Sequence, residues 1–152
     1  MVIHLLISNK GVGVYLDGYV NNCTISGNII SNNSYGGMNI YHSWSNLIRR
    51  NTFKNNSGEG GGLKIYMDSN DNRIEENNFI DNKINALDSH THKNSWLANY
   101  WDDWIGLKFH GPIYQKFPKF INFGGFYLSG KLYTLLYFDW HPVSESYDIS
   151  VN

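Results

Sequence analysis

Two tyrosines in the sequence have the type and spacing of a carbohydrate-binding surface. Tyr41 and Tyr66 each end a short stretch in which apolar and polar residues alternate, and Asn39 and Lys64 stand two residues before them. A flat aromatic ring packs on the apolar face of a pyranose, while an amide and an ammonium group supply hydrogen bonds. These four residues are the candidate binding residues. Stacked tyrosines that only stabilise a sheet would give the same pattern.

The best acidic candidates for catalysis are Asp102 and Asp103, which adjoin each other between Trp101 and Trp104. Cleavage of a glycosidic bond needs an acid and a base in one place, and therefore clustered carboxylates. Neighbours on a strand face opposite ways, so the alternative is a structural role in holding the segment that follows.

A copper site would need a cluster of histidine, methionine or cysteine side chains. His90 and His92 are spaced to share a strand face, with Asp88 near them. They are weak metal-ligand candidates, because a polar surface turn explains the same residues. Asp139 and His141 could form a His–carboxylate pair, but we expect a packing role for them near the end of the chain.

A repeat built around a central asparagine must position these residues. Asn28, Asn51, Asn77 and Asn99 follow one another at intervals of 23, 26 and 22 residues, a period typical of a solenoid. Apolar residues flank the asparagine in every copy: Ile25 and Ile30, Ile48 and Phe53, Ile74 and Phe79, Trp96 and Trp101. Each copy predicts two very short strands around a corner.

A third short strand is predicted between copies, at residues 13–16, 37–40, 62–65 and, more weakly, 85–87. Three strands and three corners make one rung, and no helix-length segment intervenes. The predicted fold is therefore all-β, a parallel β-helix of about four rungs. Leucine-rich repeats have a similar period but need a regular run of leucines, which the sequence lacks.

The strand pattern predicts two outward columns of side chains. One contains Asp17, Tyr41, Tyr66 and Asp88, and its neighbour contains Tyr15, Asn39, Lys64 and Ala86. Asp17 and Asp88 would then stand three rungs apart, roughly 14 Å at about 4.8 Å per rung. That separation is too large for paired carboxylate catalysis.

The central asparagines are expected to serve their corner in two ways. Asparagine tolerates left-handed backbone geometry, and stacked asparagine side chains can hydrogen-bond from rung to rung. The same stacking would pair Arg49 with Glu75 and Arg50 with Glu76. Cys23 fills an asparagine position of the repeat, so we expect a buried structural thiol there.

The repeat stops after Trp104, which divides the chain into β-helix rungs at 1–104 and a capping segment at 105–152. The capping segment is rich in aromatic residues: Phe109, Tyr114, Phe117, Phe120, Phe123, Phe126, Tyr127, Tyr133, Tyr137, Phe138, Trp140 and Tyr147. We expect a loop with Pro112 and Pro118, then a strand or hairpin through residues 131–138 that covers the edge of the last rung. Residues 7–13 match 30–37, so we expect the N-terminal end to be incomplete and Met1 to be an internal start.

Charge and hydropathy exclude several partners. The chain has 12 basic and 13 acidic residues without a run of either sign, which removes the electrostatic reason to expect nucleic acid or an anionic membrane. No stretch approaches the roughly 20 apolar residues of a membrane span. The apolar opening, residues 1–7, is too short for a signal peptide. The oligomeric state is not indicated.

The repeat Asn-x-Ile-x-x-Asn-x-Phe, at residues 46–53 and 72–79, resembles the right-handed, single-stranded parallel β-helix of the NosD-like group in the pectin lyase superfamily. Residues 99–104, 138–142 and 147–149 resemble the C-terminal end of secreted members. The resemblance implies export to the periplasm or cell exterior and, from the name of the group, copper delivery to a nitrous oxide reductase. For catalytic relatives it implies calcium with an arginine base, or two to three aspartates.

Three functions remain open. The leading hypothesis is a non-enzymatic secreted or surface module that contacts carbohydrate or cell-envelope material through Tyr41 and Tyr66. The second is a fragment of a polysaccharide lyase or hydrolase. The third is a NosD-like periplasmic copper accessory protein, with copper or calcium as cofactor by resemblance alone.

Overall fold

The computed structural model describes residues 5–7, 10–104, 118–128 and 131–149, and every regular element in them is a β-strand. The strands are β1 (Leu5–Ile7), β2 (Val12–Asp17), β3 (Thr24–Ser26), β4 (Ile29–Ser31), β5 (Gly36–Tyr41), β6 (Leu47–Arg49), β7 (Thr52–Lys54), β8 (Leu63–Tyr66), β9 (Arg73–Glu75), β10 (Asn78–Ile80), β11 (Ala86–Ser89), β12 (Ser95–Leu97), β13 (Tyr100–Trp101), β14 (Lys119–Leu128) and β15 (Lys131–Asp139).

Three sheets result, because strands from successive turns of the chain pair with one another. The first sheet has the order β1-β4-β7-β10-β13, the second β2-β5-β8-β11 and the third β3-β6-β9-β12-β15-β14. All pairs among β1 to β13 are parallel. The predicted all-β parallel solenoid of about four turns is confirmed.

The core is filled by columns of side chains stacked in register. The inward columns are Val14–Met38–Leu63–Ala86, Leu16–Ile40–Ile65–Asp88, Ile25–Ile48–Ile74–Trp96 and Ile30–Phe53–Phe79–Trp101. In the last column the ring centroids of Phe53 and Phe79 lie 5.0 Å apart, and those of Phe79 and Trp101 lie 4.3 Å apart. The residues predicted to flank each central asparagine are therefore the core, as expected.

Three ladders of asparagine side chains, all buried except the half-buried Asn82 and Asn94, run along the solenoid axis. In the central ladder, Asn28, Asn51 and Asn77 each donate Nδ2–H to the Oδ1 of the next residue, ending at Asn99, with distances of 2.8, 3.2 and 3.0 Å. The other two ladders are Asn33–Asn56–Asn82 and Asn46–Asn72–Asn94. Cys23 fills an asparagine position, since its backbone N–H donates to Asn46 Oδ1 at 3.0 Å, but it is half-buried and not buried as we expected.

The ladder asparagines do not adopt the left-handed backbone that we expected of them. In the central ladder the residue just before each asparagine has the positive φ instead: 70° at Gly27, 50° at Arg50, 54° at Glu76 and 55° at Ala98. Turning the corner and bridging the rungs are thus divided between two adjacent residues. The asparagine side chain must point inward to reach the next rung, so the positive φ that turns the corner lies at the residue before it.

The predicted arginine–glutamate stacking is confirmed, with one addition. Arg50 Nε lies 2.9 Å from Glu76 Oε2, and Arg49 contacts both Glu75 and Glu76, at 3.7 and 3.0 Å. Burial acts to raise the pKa of Glu76, but the hydrogen bonds from Arg49 and Arg50 outweigh it and lower that pKa. These four charges support the scaffold.

Each ladder leads to a carboxylate at its C-terminal end. Asn99 donates Nδ2–H to Asp139 Oδ2 at 2.9 Å, and Asn94 donates Nδ2–H to Asp88 Oδ1 at 3.1 Å. The third ladder continues from Asn82 through Asn85 to Asp102. One N–H of each ladder amide donates toward this end, so an acceptor with a full negative charge suits it.

A β-hairpin covers the last turn, as the capping prediction required. β14 and β15 pair antiparallel, and β15 pairs parallel with β12 through Asp139 and Trp96. Asn122 on β14 joins β11 by accepting from Asp88 N and donating to Asp88 O, at 2.9 and 2.8 Å. The division into 1–104 and 105–152 stays a prediction, and Phe109, Pro112, Tyr114 and Phe117 lie outside the described residues.

Replacing Asp139 should destabilise the fold strongly. Its buried carboxylate accepts from Ala98 N, Asn99 N, Asn99 Nδ2 and Trp101 Nε1. Asp139→Ala leaves these donors without an acceptor. We expect a loss of about 3 kcal/mol or more in the free energy of unfolding, measured by urea denaturation. Asp148→Ala, at an exposed position, is the control and should change it by less than about 0.5 kcal/mol; equal effects would contradict the prediction.

Candidate functional site

The outer face of the second sheet carries the predicted binding residues in two columns. Their register is Asp17–Tyr41–Tyr66–Ser89 and Tyr15–Asn39–Lys64–Leu87. The prediction was right for the first three members of each column and wrong for the fourth, where it had Asp88 and Ala86. A slip of one residue moves a side chain to the other face of a strand, so Asp88 and Ala86 point into the core.

Asp88 is buried because the last turn supplies hydrogen-bond donors for its carboxylate. Thr91 Oγ1 donates to Oδ1, and Trp96 Nε1 donates to Oδ2 at 3.0 Å. Burial raises the pKa of Asp88, and the hydrogen bonds from Thr91, Trp96 and Asn94 oppose that rise without cancelling it. Asp88 therefore terminates a ladder and does not face a ligand with Asp17.

The tyrosines form a continuous aromatic surface on the second sheet. The ring centroids of Tyr41 and Tyr66 lie 5.1 Å apart with planes at 47°, and the hydroxyls of Tyr15 and Tyr66 lie 3.1 Å apart. Lys64 Nζ lies 4.8 Å from the ring centroid of Tyr66. Burial and the hydrogen bond to Tyr15 raise the pKa of Tyr66, so its phenol stays neutral at physiological pH. We call Tyr15, Tyr41, Lys64 and Tyr66 the tyrosine patch.

Asn39 sits beside the tyrosine patch, under a glycine-rich loop. A Cβ added at Gly60 would lie 2.9 Å from Asn39 Oδ1, so only glycine fits there without a shift. This oxygen is buried and has no hydrogen-bond partner among the described residues. Of the two polar groups in the amide, the nitrogen alone is left for the predicted ligand contact.

Asp102 and Asp103 lie in a turn after β13, not on a strand, so their side chains do not diverge as expected. Asn85 Nδ2 donates to both carboxylates, at 2.9 and 3.0 Å, and Lys119 Nζ lies 2.8 Å from Asp103. Asp103 borders a cleft of about 270 Å³ between the last turn and the hairpin, and Lys119 and Trp101 also contribute to its lining. Asp103 fastens the hairpin to the solenoid through Lys119, whereas Asp102 accepts from Asn85 and from the backbone N–H of Asp81 within the solenoid.

Asp139 and His141 have the packing role that was expected. Asp139 is buried, and the exposed His141 contacts it through its backbone N–H, at 3.1 Å from Oδ1. No imidazole–carboxylate pair is needed to explain this carboxylate.

His90 and His92 lie in the turn between β11 and β12 and share no strand face. His90 is exposed with φ 55°, Thr91 is buried, and the backbone N–H of His92 donates to Asn70 Oδ1 at 2.7 Å. Within the described ranges, no group of three or more His, Cys, Asp or Glu side chains is arranged to hold a metal ion.

His90 has different neighbours, which the sequence reasoning missed. It follows Ser89, while Met67 follows Tyr66 and His42 follows Tyr41, so the three share one corner on consecutive turns. The signal was present in the sequence, because these residues occupy the same position after each strand of the second sheet. We call His42, Met67 and His90 the corner column.

The comparison with protein families gives one match. A family model described as NosD, periplasmic copper-binding protein, matches residues 5–106, which is more than half of the chain. No curated protein and no solved structure matches the sequence. No helix in the described part of the chain is long and apolar enough to cross a membrane.

The buried carboxylate of Asp88 predicts a pH dependence of stability. Its raised pKa means that the folded state binds more protons than the unfolded chain between the two pKa values. The stability contributed by Asp88 is therefore fully present below the unfolded-state pKa and is lost as pH rises through the folded-state pKa. The excess stability of the wild type over Asp88→Asn should decrease as pH rises above about 4.

Urea denaturation over a pH series measures this excess. Asp17→Asn is the control, because Asp17 is exposed on the outer face of the second sheet. An excess that grows with pH for Asp88→Asn would contradict the interpretation of this carboxylate.

Proposed function

The chain belongs to the NosD family, and from this premise we propose that it is a periplasmic β-solenoid that contacts carbohydrate through the tyrosine patch. The observation that carries the proposal is the pair of adjacent, tilted rings, Tyr41 and Tyr66, on the outer face of a sheet that the cap does not extend. The rings are partly exposed and Tyr15 beside them is 50% exposed. A sugar ring can therefore lie across three rungs.

The polar groups around the rings suit a hydroxyl-rich ligand. Lys64 Nζ and the phenols of Tyr15 and Tyr66 surround the rings with donors and acceptors. Apolar area with a few fixed polar groups is the usual composition of a small-ligand surface. The rigidity of the flanking ladders favours binding, because little side-chain or backbone order is lost when the ligand arrives.

Polysaccharide cleavage stays a prediction without a supporting contact. Its candidates, Asp102 and Asp103, are bonded to Asn85 and Lys119. No described residue in the cleft beside them supplies the separate acid and base that the reaction needs.

A glycan array tests the carbohydrate proposal. We expect Tyr41→Ala/Tyr66→Ala to bind glycans at least about fivefold more weakly than the wild type, since each ring contributes roughly 0.5–1.5 kcal/mol. Tyr35→Ala is the matched control, because Tyr35 is 67% exposed and lies outside the patch. An absence of binding to every glycan, or equal binding by the double variant, would overturn the proposal.

Copper binding is the second candidate function, and it is favoured by the match to a family of periplasmic copper-binding proteins. We expect the whole chain to retain about one equivalent of Cu(I) in anaerobic equilibrium dialysis against a weak competing chelator. A chain with no bound copper after dialysis would remove this candidate and leave the carbohydrate proposal untouched.

A further inference from the structure

We infer that the corner column, His42, Met67 and His90, is a Cu(I)-binding site, an inference that rests on the proposed copper function. The metal would be held by two imidazoles and one thioether from three consecutive turns of the solenoid.

The backbone places the three residues one above another. His42 N donates to Met67 O at 3.3 Å, and Asp68 N, one residue later, donates to His90 O at 2.9 Å. All three residues have left-handed backbones, with φ 44° at His42, 51° at Met67 and 55° at His90. They therefore occupy equivalent corner positions, and adjacent members are separated by about the 4.8 Å spacing of a sheet.

The exposure of Met67 is unusual for its residue type. Its side chain is 45% exposed, whereas Met38 of the core is fully buried. Methionine gains nothing from a left-handed corner, where asparagine, aspartate or glycine would be less strained. Binding of a soft metal ion would explain why an exposed methionine lies at this corner between two histidines.

The two histidines suit the same ion. His90 is exposed, and the half-buried His42 imidazole packs against the ring of Tyr41, with ring centroids 4.2 Å apart and planes at 72°. Imidazole and thioether ligands together select Cu(I) over hard cations such as Ca²⁺, which need oxygen ligands. The outer histidines lie two rung spacings apart, roughly 10 Å along the axis, and both side chains are long enough to incline toward Met67.

The alternative pair, His90 with His92, fits less well. Thr91 between them points into the core, where it contacts Asp88 and Tyr137. The backbone of His92 is held by Asn70. His92 thus belongs to the neighbouring part of the turn, and His92→Gln is a matched control for His90→Gln.

Methyl NMR of the whole chain tests the assignment. The chain contains three methionines, Met1, Met38 and Met67, so a sample labelled with ¹³C at the methionine methyl groups gives few signals, and Met67→Leu assigns the relevant one. Under anaerobic conditions, one equivalent of Cu(I) should shift the Met67 methyl signal and leave that of Met38 in place.

Competition with a chromophoric Cu(I) chelator gives the affinities. Met67→Leu, His42→Gln and His90→Gln should each bind Cu(I) at least about tenfold more weakly than the wild type, while His92→Gln should bind as the wild type does. Leucine keeps the unbranched Cβ of methionine, and circular dichroism verifies that each variant is folded.

The outcomes separate the site from the function. If the chain takes up no Cu(I), both the copper function and the site fail. If it binds Cu(I) while the Met67 signal does not move, or if Met67→Leu binds as tightly as the wild type, the copper function stands and the corner column is overturned.

Discussion

The side-chain amide of asparagine fixes how one turn of this protein sits on the next. A residue inside a ladder donates a side-chain hydrogen bond to the asparagine of the following turn and accepts one from the preceding turn. Its backbone N–H donates to the same oxygen of the following asparagine, as Asn51 does to Asn77. A buried hydrogen bond contributes about 1 kcal/mol net, but leaving its partner unpaired costs more. The ladders therefore oppose any slip in register, because a slip would leave several amides without hydrogen-bond partners at once and would turn core residues outward.

The ladders also give the solenoid a direction. One N–H of each ladder amide donates toward the C-terminal turn, where Asp139, Asp88 and Asp102 accept the last of these hydrogen bonds. The same nitrogen also donates to a backbone carbonyl, as Asn51 does to Ile25 O on the preceding turn. At the opposite end Asn28 Oδ1 is buried and has no donor among the described residues. Because carboxylates accept hydrogen bonds and cannot donate them when ionised, the three aspartates stop the ladders as well as satisfying them. The hairpin is held by the same groups, since Asp139 belongs to β15 and Asp88 is bonded to Asn122.

The features that recur in every turn could be predicted from the sequence, whereas those that depend on contacts made in one turn alone could not. The flanking apolar residues and the outward positions of Tyr41 and Tyr66 follow from alternation around each asparagine, which is a local pattern. The position of Asp88 does not, because its inward orientation depends on Thr91 and Trp96, donors that the fold brings together around it. The left-handed residue before each ladder asparagine was missed for a related reason, since Arg50 and Glu76 have no intrinsic preference for that geometry. The corner column could not be predicted from the alternation of apolar and polar residues, because its members lie in turns just after the strands.

The spacing of the ladders shows where this fold can vary. Successive ladder positions on the arc through the first and third sheets are always five residues apart, as from Asn46 to Asn51 to Asn56. The remaining arc, which includes the second sheet, spans 13 residues from Asn33 to Asn46, 16 from Asn56 to Asn72 and 12 from Asn82 to Asn94. The arc through the first and third sheets thus has the same length in every turn, while the arc that includes the second sheet accommodates insertions and deletions without changing the stacking. The tyrosine patch and the corner column both lie on the arc of variable length, so new surface chemistry can evolve there while the stacking stays the same.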